Sequence, residues 1–281
     1  MNSTYKRKKT ATKIFRNGFM MLIMIFYLFP LWYVFNNAFK VRAAIHTQPF
    51  ILTPDTFTLE SITTAFTGMN YLQSFYNSVI TLLLSCLLFV LLGSMTAYGI
   101  CIGNRKIFDK LYIFFVALIA LPFQVAMVPL VSLLRTLHLS DTYMGLALIY
   151  TAMFMPFIVF VYTGFMRSIP GEVLESARID GCSYYRAYLY IYMPLLKTVT
   201  GIVLILRGVF VWNDLQVPLV ILNDPSMLTL QMRLFVFATS RVGNIDLVFA
   251  STLITCIPIV ILFLFLQKTF VKGVMAGSIK G

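Results

Sequence analysis

Charged residues are scarce in this chain. Aspartate, glutamate, lysine and arginine make up 11% of its 281 residues, whereas a soluble domain carries roughly 25%. Hydrophobic residues make up 59%, and the mean hydropathy is +0.86. This composition excludes an ordinary soluble domain and indicates that most of the chain lies in a lipid bilayer.

Residues that bind nucleotides or metals, or that carry catalysis, are also few. The sequence has no G-x-x-x-x-G-K-[ST] stretch, so the chain cannot by itself cradle nucleotide phosphates as a P-loop does. Its two histidines, His46 and His138, have no companion ligands at metal spacing, and no Ser-His-Asp or Cys-His arrangement can be proposed. The four cysteines match neither a metal site nor a disulfide framework. We therefore predict no catalytic residue, no metal site and no cofactor in this chain.

The charge that is present is mostly positive. The net charge is +12, but no basic face interleaved with aromatic residues accompanies it, so we predict no nucleic-acid partner. The basic residues lie mainly between the apolar runs, where they report the orientation of a membrane protein.

The apolar residues form six runs, each about the 20 residues that a transmembrane helix needs. The sequence therefore predicts an all-α, polytopic membrane protein with six transmembrane helices. The predicted spans are Ile14–Phe35, Phe75–Cys101, Phe108–Leu134, Tyr143–Met166, Val199–Leu222 and Leu247–Phe270. Four prolines are expected to kink these helices: Pro122, Pro129, Pro156 and Pro218.

Six spans place both termini on one side of the membrane. That side carries sixteen lysines and arginines and the other side five, which assigns the termini to the cytoplasm. We interpret the first run as an uncleaved span, because it has no clear small-residue cleavage site before Asn36. The predicted domains are a basic cytoplasmic tail, residues 1–13, and a transmembrane domain, residues 14–281.

The outer connections include two long segments, Asn36–Ser74 and Asn223–Asp246, which are able to meet a partner outside the cell. Part of the first segment has helical spacing of apolar residues and predicts a short interfacial helix. These residues are Leu59, Ile62, Ala65 and Phe66.

The cytoplasmic loop Arg167–Lys197 is far more polar than its surroundings. Ser168 is a candidate N-cap for a short helix that runs to about Asp180. Gly181 then permits the left-handed conformation that ends this helix, and a second helical stretch begins near Ser183. The loop therefore predicts a helical elbow that projects from the membrane.

The elbow resembles the EAA loop of ABC-importer permeases, whose pattern is E-A-A, three residues, G, nine residues and I-x-L-P. The matching residues are Glu175, Ser176, Ala177, Gly181, Ile191 and Pro194. Ser176 replaces one alanine of that pattern, and Met193 replaces the leucine. The resemblance implies that the elbow inserts into a cleft on an ATP-hydrolysing subunit, with coupling residues Glu175, Ser176, Ala177, Asp180 and Gly181.

Other short sequence segments resemble the carbohydrate-uptake branch of that family, whose best-known member is a maltose permease subunit. They are Thr58-Leu59-Glu60, Asn77-Ser78, Leu121-Pro122-Phe123-Gln124-Val125, Trp212-Asn213-Asp214 and the C-terminal run from Phe270 to Gly281. The resemblance covers the chain from about residue 49 to the end.

This resemblance implies the rest of the assembly. The chain is expected to pair with a homologous permease, to sit on two ATPase subunits that bind ATP and Mg, and to receive substrate from an extracytoplasmic sugar-binding protein. The location implied is the bacterial plasma (inner) membrane. The substrate implied is a sugar or oligosaccharide, although close relatives import glycerol-phosphate esters.

Charged residues inside a span are costly and need an explanation. Arg207 and Asp214 lie seven residues apart in the fifth predicted span, a spacing that predicts one helical face. They join other hydrogen-bonding and aromatic residues as candidates for the substrate pathway: Gln124, Tyr150, Trp212 and Asn213. The same residues could instead join the two permeases, cap helix ends or anchor at the interface.

Two other classes of function are weighed against this reading. A secondary transporter should show inverted repeats and broken helices around acidic residues, and no repeat is evident. A membrane-embedded enzyme needs clustered intramembrane catalytic groups, which the sequence does not offer. Co-purifying ATPase subunits would distinguish an importer from both.

Overall fold

The computed structural model describes residues 2–278 apart from 104 and 242, with side chains between 13 and 264 except at 104, 105, 242 and 263. Helices dominate, and no β-strand occurs among the described residues, where one antiparallel bridge pairs Lys40 with Phe57. The helices are α1 Asn2–Ala38, α2 Arg42–Thr47, α3 Glu60–Gly68, α4 Tyr71–Ile102, α5 Arg105–Leu118, α6 Phe123–Thr136, α7 Tyr143–Met166, α8 Glu172–Ile179, α9 Tyr184–Ala187, α10 Met193–Leu195, α11 Lys197–Asn213, α12 Gln216–Ile221, α13 Leu230–Ser240 and α14 Ile245–Ser278.

Four uninterrupted helices of the described chain are long and apolar enough to cross a membrane. They are Lys13–Ala38, Tyr71–Ile102, Tyr143–Met166 and Ile245–Leu262. Two further pairs of helices meet this test only together, and each pair is sharply bent at a short break. The predicted all-α membrane fold is confirmed, with six spans if each bent pair crosses once.

The third predicted span, Phe108–Leu134, is wrong as a single helix. The structure divides it into α5 and α6, whose axes meet at 104°. Residues 119–121 form 3₁₀-like hydrogen bonds, such as Ile119 N–H to the Val116 carbonyl at 3.2 Å. Pro122 disfavours the helical conformation of the residue before it and has no N–H to donate, so the helix breaks there.

The fifth predicted span, Val199–Leu222, is also interrupted. Helix α11 ends at Asn213, Asp214 is extended with ψ 134°, and α12 begins at Gln216. Asp214 therefore lies just beyond the helix that carries Arg207, and the prediction of one continuous helix over both residues is wrong. The predicted common face is retained, because both side chains contact α7.

The fold contains two compact units, and the first comprises residues up to Asn70 with Val236–Ile257. The short helix predicted there is confirmed as α3. Ser61 Oγ donates to Asp246 Oδ2 at 3.0 Å, which joins α3 to the start of α14. Lys40 is fully buried and satisfies its ammonium locally, because Nζ donates to the Gln48 carbonyl at 2.7 Å.

The second unit comprises Tyr71–Phe235 with the residues that follow Ile257. Its core lies between α4 and α7, which make the most extensive contact between any two elements. A Cβ at Gly93 would lie 2.3 Å from Ile158 Cγ2, so only glycine permits the observed approach of the two helices. α11 packs against both α4 and α7.

Several predictions concern residues outside the described part of the chain. The side chains of residues 1–12 of the basic N-terminal tail lie there, as do those of the C-terminal run from Phe270. The resemblance of that run to the carbohydrate-uptake branch is therefore a statement about sequence.

Candidate coupling elbow and substrate pathway

The first helix of the elbow is α8, and its C-terminus has a defined cap. Gly181 adopts φ +79°, as predicted. Its N–H donates to the Arg178 carbonyl at 3.0 Å, and the Cys182 N–H donates to the Ala177 carbonyl at 2.9 Å. These two bonds form a Schellman motif, which satisfies carbonyls that the end of a helix leaves without partners.

The N-terminus of α8 differs from the prediction. Ser168 does not cap it, because Ser168 Oγ donates to the Phe165 carbonyl at 2.7 Å. Gly171 precedes the helix with helical angles and no side-chain cap. Glu172 and Glu175 lie in the first turn, where carboxylates interact favourably with the positive end of the helix dipole.

The second part of the elbow begins where the sequence predicts it. Ser183 Oγ accepts the Arg186 N–H at 3.3 Å and caps α9. The chain continues through a single π-helical stretch, Tyr188–Tyr192, and through α10 into α11. Helical segments Tyr184–Leu195 and Lys197–Asn213 meet at 71°.

The predicted coupling residues lie on the exposed surface of this elbow. Glu175, Ser176, Asp180 and Gly181 are exposed, whereas Ala177 is buried on the opposite face of α8. Nearby Ile179 exposes 86% of its surface.

An ion pair lies where α7 leads into the elbow. Arg167, the residue after α7, donates from Nη2 to Asp109 Oδ1 on α5 at 2.5 Å. Its guanidinium also lies 4.6 Å from the centre of the Tyr112 ring. Both charged side chains are about half exposed, so the pair contributes little to stability.

The candidate pathway residues are brought together only in part. Tyr150 is fully buried on α7, and its Oη donates to Asp214 Oδ2 at 2.9 Å. Asp214 also accepts the N–H groups of Gln216 at 3.2 Å and Val217 at 3.0 Å. It therefore caps α12 and joins the break in the fifth span to α7.

Arg207 lies in the middle of α11 against aromatic rings of α7. Its Cζ lies 3.7 Å from the ring centre of Phe157 and 4.9 Å from that of Phe154. Its Nε is buried and has no hydrogen-bond partner among the described residues. Cation–π contacts of this kind stabilise a guanidinium that is partly removed from water.

The remaining candidates lie in different surroundings. Trp212 is buried, with its ring 5.9 Å from that of Phe75 in an edge-to-face arrangement. Asn213 is exposed, and its Oδ1 lies 3.4 Å from Gln231 Nε2. Gln124 is exposed in the first turn of α6, and among the described residues no hydrogen bond joins it to Asp214 or Tyr150.

Asp141, in the turn before α7, ties that turn to the chain after α12. It accepts the N–H groups of Asn223 and of Asp224, the latter at 3.0 Å. Burial by itself would raise the pKa of Asp141, but these hydrogen bonds favour the carboxylate and lower its pKa overall.

Sequence reasoning missed several of these partners. Phe154 and Phe157 look like ordinary residues of an apolar span, and only the packing of α7 on α11 places them under Arg207. Asp141 gave no signal, because the backbone N–H groups that donate to its carboxylate lie about eighty residues away in the chain. No group of three or more metal-ligating side chains occurs in the described part of the chain.

The helices and the exposed elbow define a class: a polytopic helical membrane protein with a projecting helix–turn–helix segment. The chain belongs to the family described as binding-protein-dependent transport system inner membrane component, whose pattern matches residues 89–276. It is thus a multi-pass permease component of ABC transport systems, and the predicted family is confirmed.

Relatives by sequence are named as sugar permeases. The melibiose/raffinose/stachyose import permease protein MelC of Bacillus subtilis is 36% identical over 210 residues, covering 74% of this chain and 76% of the relative. The probable starch degradation products transport system permease protein AmyC of Thermoanaerobacterium thermosulfurigenes is 30% identical over 274 residues, covering 98% and 99%. The arabinooligosaccharides transport system permease protein AraQ of Bacillus subtilis is 29% identical and covers 94% of each chain.

The fold is shared with solved structures. A chain in the crystal structure of a bacterial ABC transporter involved in the import of the acidic polysaccharide alginate superposes with a TM-score of 0.78. It is 20% identical, and the match covers 93% of this chain and 97% of that one.

Proposed function

We propose that this chain forms half of the translocation pathway of an ATP-driven, binding-protein-dependent importer of a sugar or oligosaccharide. The elbow is the observation that supports coupling to an ATPase. Its exposed first helix, α8, ends in a Schellman motif, and its second helix, α9, begins with a side-chain cap. The substrate class is supported by the names of the sequence relatives, which specify oligosaccharides of different composition.

The other half of the pathway is a homologous permease in this proposal. Two ATPase subunits bind ATP and Mg, and an extracytoplasmic binding protein delivers the sugar. Both termini and the elbow face the cytoplasm of a bacterial cell. Closure of the ATPase subunits on nucleotide pushes the elbow, through Glu175, Ser176, Ala177, Asp180 and Gly181.

We propose that the break in the fifth span lies beside the substrate. Exposed Asn213 supplies hydrogen-bonding groups, and Asp214 positions the break through Tyr150 and α12. Arg207, Trp212 and Gln124 complete the set. Sugars need hydrogen bonds to hydroxyls and apolar contact with ring faces, which these side chains can provide.

The test uses the full importer in proteoliposomes, with the binding protein and ATP supplied on opposite sides. Sugar-loaded binding protein should stimulate ATP hydrolysis, and labelled oligosaccharide should accumulate. Glu175→Lys should abolish both responses, because it reverses the charge of an exposed docking face. Asp55→Lys makes the same charge change at an exposed position outside the elbow, and it should keep the amount of assembled complex and the ATP hydrolysis measured without binding protein. Unchanged uptake and stimulation in Glu175→Lys would contradict the coupling role.

A further inference from the structure

Two hydrogen bonds join the elbow to α4. Tyr98 Oη donates to the main-chain carbonyl of Tyr184 at 2.9 Å. Ser94 Oγ lies 2.7 Å from Tyr188 Oη. Because Ser94 gives its single hydroxyl proton to the Val90 carbonyl, the Tyr188 hydroxyl is the donor in this pair.

Aromatic packing surrounds these bonds. The ring of Tyr98 lies 5.3 Å from that of Tyr188 and 4.9 Å from that of Tyr192, the latter close to edge-to-face. We call Tyr98, Tyr188, Tyr192 and Ser94 the tyrosine cluster. All four side chains are buried, so the cluster is close-packed and has little freedom to deform.

The direct route along the chain from the elbow to α11 is less regular. It passes through the π-helical stretch Tyr188–Tyr192 and Pro194 to a 71° bend. π-Helical turns and prolines are the usual places where a helix bends. A displacement of the elbow is therefore absorbed more easily along this route than across the tyrosine cluster.

A displacement of α4 is expected to move α7 as well, because the two helices pack closely. Gly93, next to Ser94 of the tyrosine cluster, is where α4 approaches Ile158 of α7 too closely for any larger residue. α7 carries Tyr150, which holds Asp214 at the break of the fifth span. Packed helices in contact over their length transmit small displacements as units.

We propose that the tyrosine cluster is the point at which motion of the elbow passes into α4 and, through α4, into α7. Tyr188 and Tyr98 act as positioning residues, since they are buried and act through the helix that they hold. The proposal rests on the coupling role given to the elbow above.

The test measures sugar imported per ATP hydrolysed by the full importer in proteoliposomes. Tyr188→Phe removes the hydroxyl and keeps the ring, so the ratio should fall roughly two- to thirtyfold, the range seen when coupling networks are altered. Tyr98→Phe, which removes the other bond, should act in the same direction. The matched control is Tyr190→Phe in the same π-helical stretch, whose side chain is 76% exposed and which should keep the wild-type ratio.

A double variant separates transmission from loss of structure. Ser94→Ala removes the acceptor of Tyr188, so Ser94→Ala with Tyr188→Phe should lower the ratio no further than the worse single variant. The amount of assembled complex should stay constant across the series. Fully additive losses of the ratio, or losses that follow the amount of complex, would overturn the proposal.

Glu175→Lys distinguishes failure of this proposal from failure of the proposed function. If Glu175→Lys uncouples the importer while Tyr188→Phe, Tyr98→Phe and Ser94→Ala leave the ratio unchanged, the elbow acts by another route and the proposal is overturned. If Glu175→Lys also leaves the ratio unchanged, the elbow does not couple, and both ideas fail.

Discussion

Replacement of Gly181 by alanine isolates the backbone conformation at the bend of the elbow. A Cβ at this position meets no atom within 4 Å, so steric contact contributes nothing. The φ of +79° is the only obstacle, and it costs an L-residue about 1–2 kcal/mol. This free-energy cost lowers the population of the capped elbow roughly five- to thirtyfold.

Gly171, at the other end of α8, is the matched control. Its φ of −60° and ψ of −30° are helical, and a Cβ there also meets nothing within 4 Å. Gly171→Ala should therefore stabilise the elbow by about 0.4–1 kcal/mol, because alanine restricts the unfolded chain. The two substitutions add the same methyl group to the same helix, with opposite signs expected.

The α6 C-terminus indicates that Gly181→Ala should strain the elbow without unfolding it. There His138 adopts φ +55° in the same type of cap, with the Leu139 N–H donating to the Leu134 carbonyl at 2.9 Å. A residue with a Cβ is therefore tolerated in this motif.

Hydrogen exchange of the Cys182 amide, whose partner is the Ala177 carbonyl, reads the population of the capped elbow directly. Gly181→Ala should accelerate exchange roughly five- to thirtyfold, and Gly171→Ala should slow it. Uptake per ATP should fall only in Gly181→Ala. Equal effects of the two substitutions on exchange would refute the reasoning from backbone conformation.

Three further outcomes are expected. Because the folded-state pKa of Asp141 lies below its unfolded value, its contribution to stability is complete at neutral pH and is lost as pH falls through the folded-state pKa. Asp141→Asn should therefore unfold at a lower temperature than wild type at pH 7, and a pH series of thermal unfolding in detergent should show the two curves converging in acid. Asn213→Ala should slow uptake roughly five- to a hundredfold by loss of about 1–3 kcal/mol of hydrogen bonding, with the amount of complex unchanged, whereas Asp214→Ala should also weaken the fold. Unchanged uptake in both would remove them from the pathway. In a cysteine-free background, Thr4→Cys should react with an impermeant reagent only after the cells are opened and Ser226→Cys in intact cells; the reverse would contradict the proposed orientation.

The spans and the elbow could be predicted because their signals are local. A run of apolar residues has the length that a bilayer needs. Gly181 ends α8 through its backbone conformation, and Ser183 caps α9 through its hydroxyl group. The sequence predicts a kink at Pro122 but not a break of 104°, and it does not predict the interruption at Asp214. In both cases the runs of residues on either side are apolar, so the hydropathy stays high. A break in the backbone hydrogen bonding of a helix leaves no trace in hydropathy.

What the sequence by itself determined is therefore the class of protein: a helical, multi-pass membrane permease with a polar helical elbow before its fifth span. What only the tertiary structure decided is which distant side chains meet. Tyr150 reaches Asp214, Arg207 stacks on Phe157, and Tyr188 bonds to Ser94. Such contacts depend on the angle and register of packed helices, which are set by many small side-chain fits across the core, and no local pattern in the sequence records them.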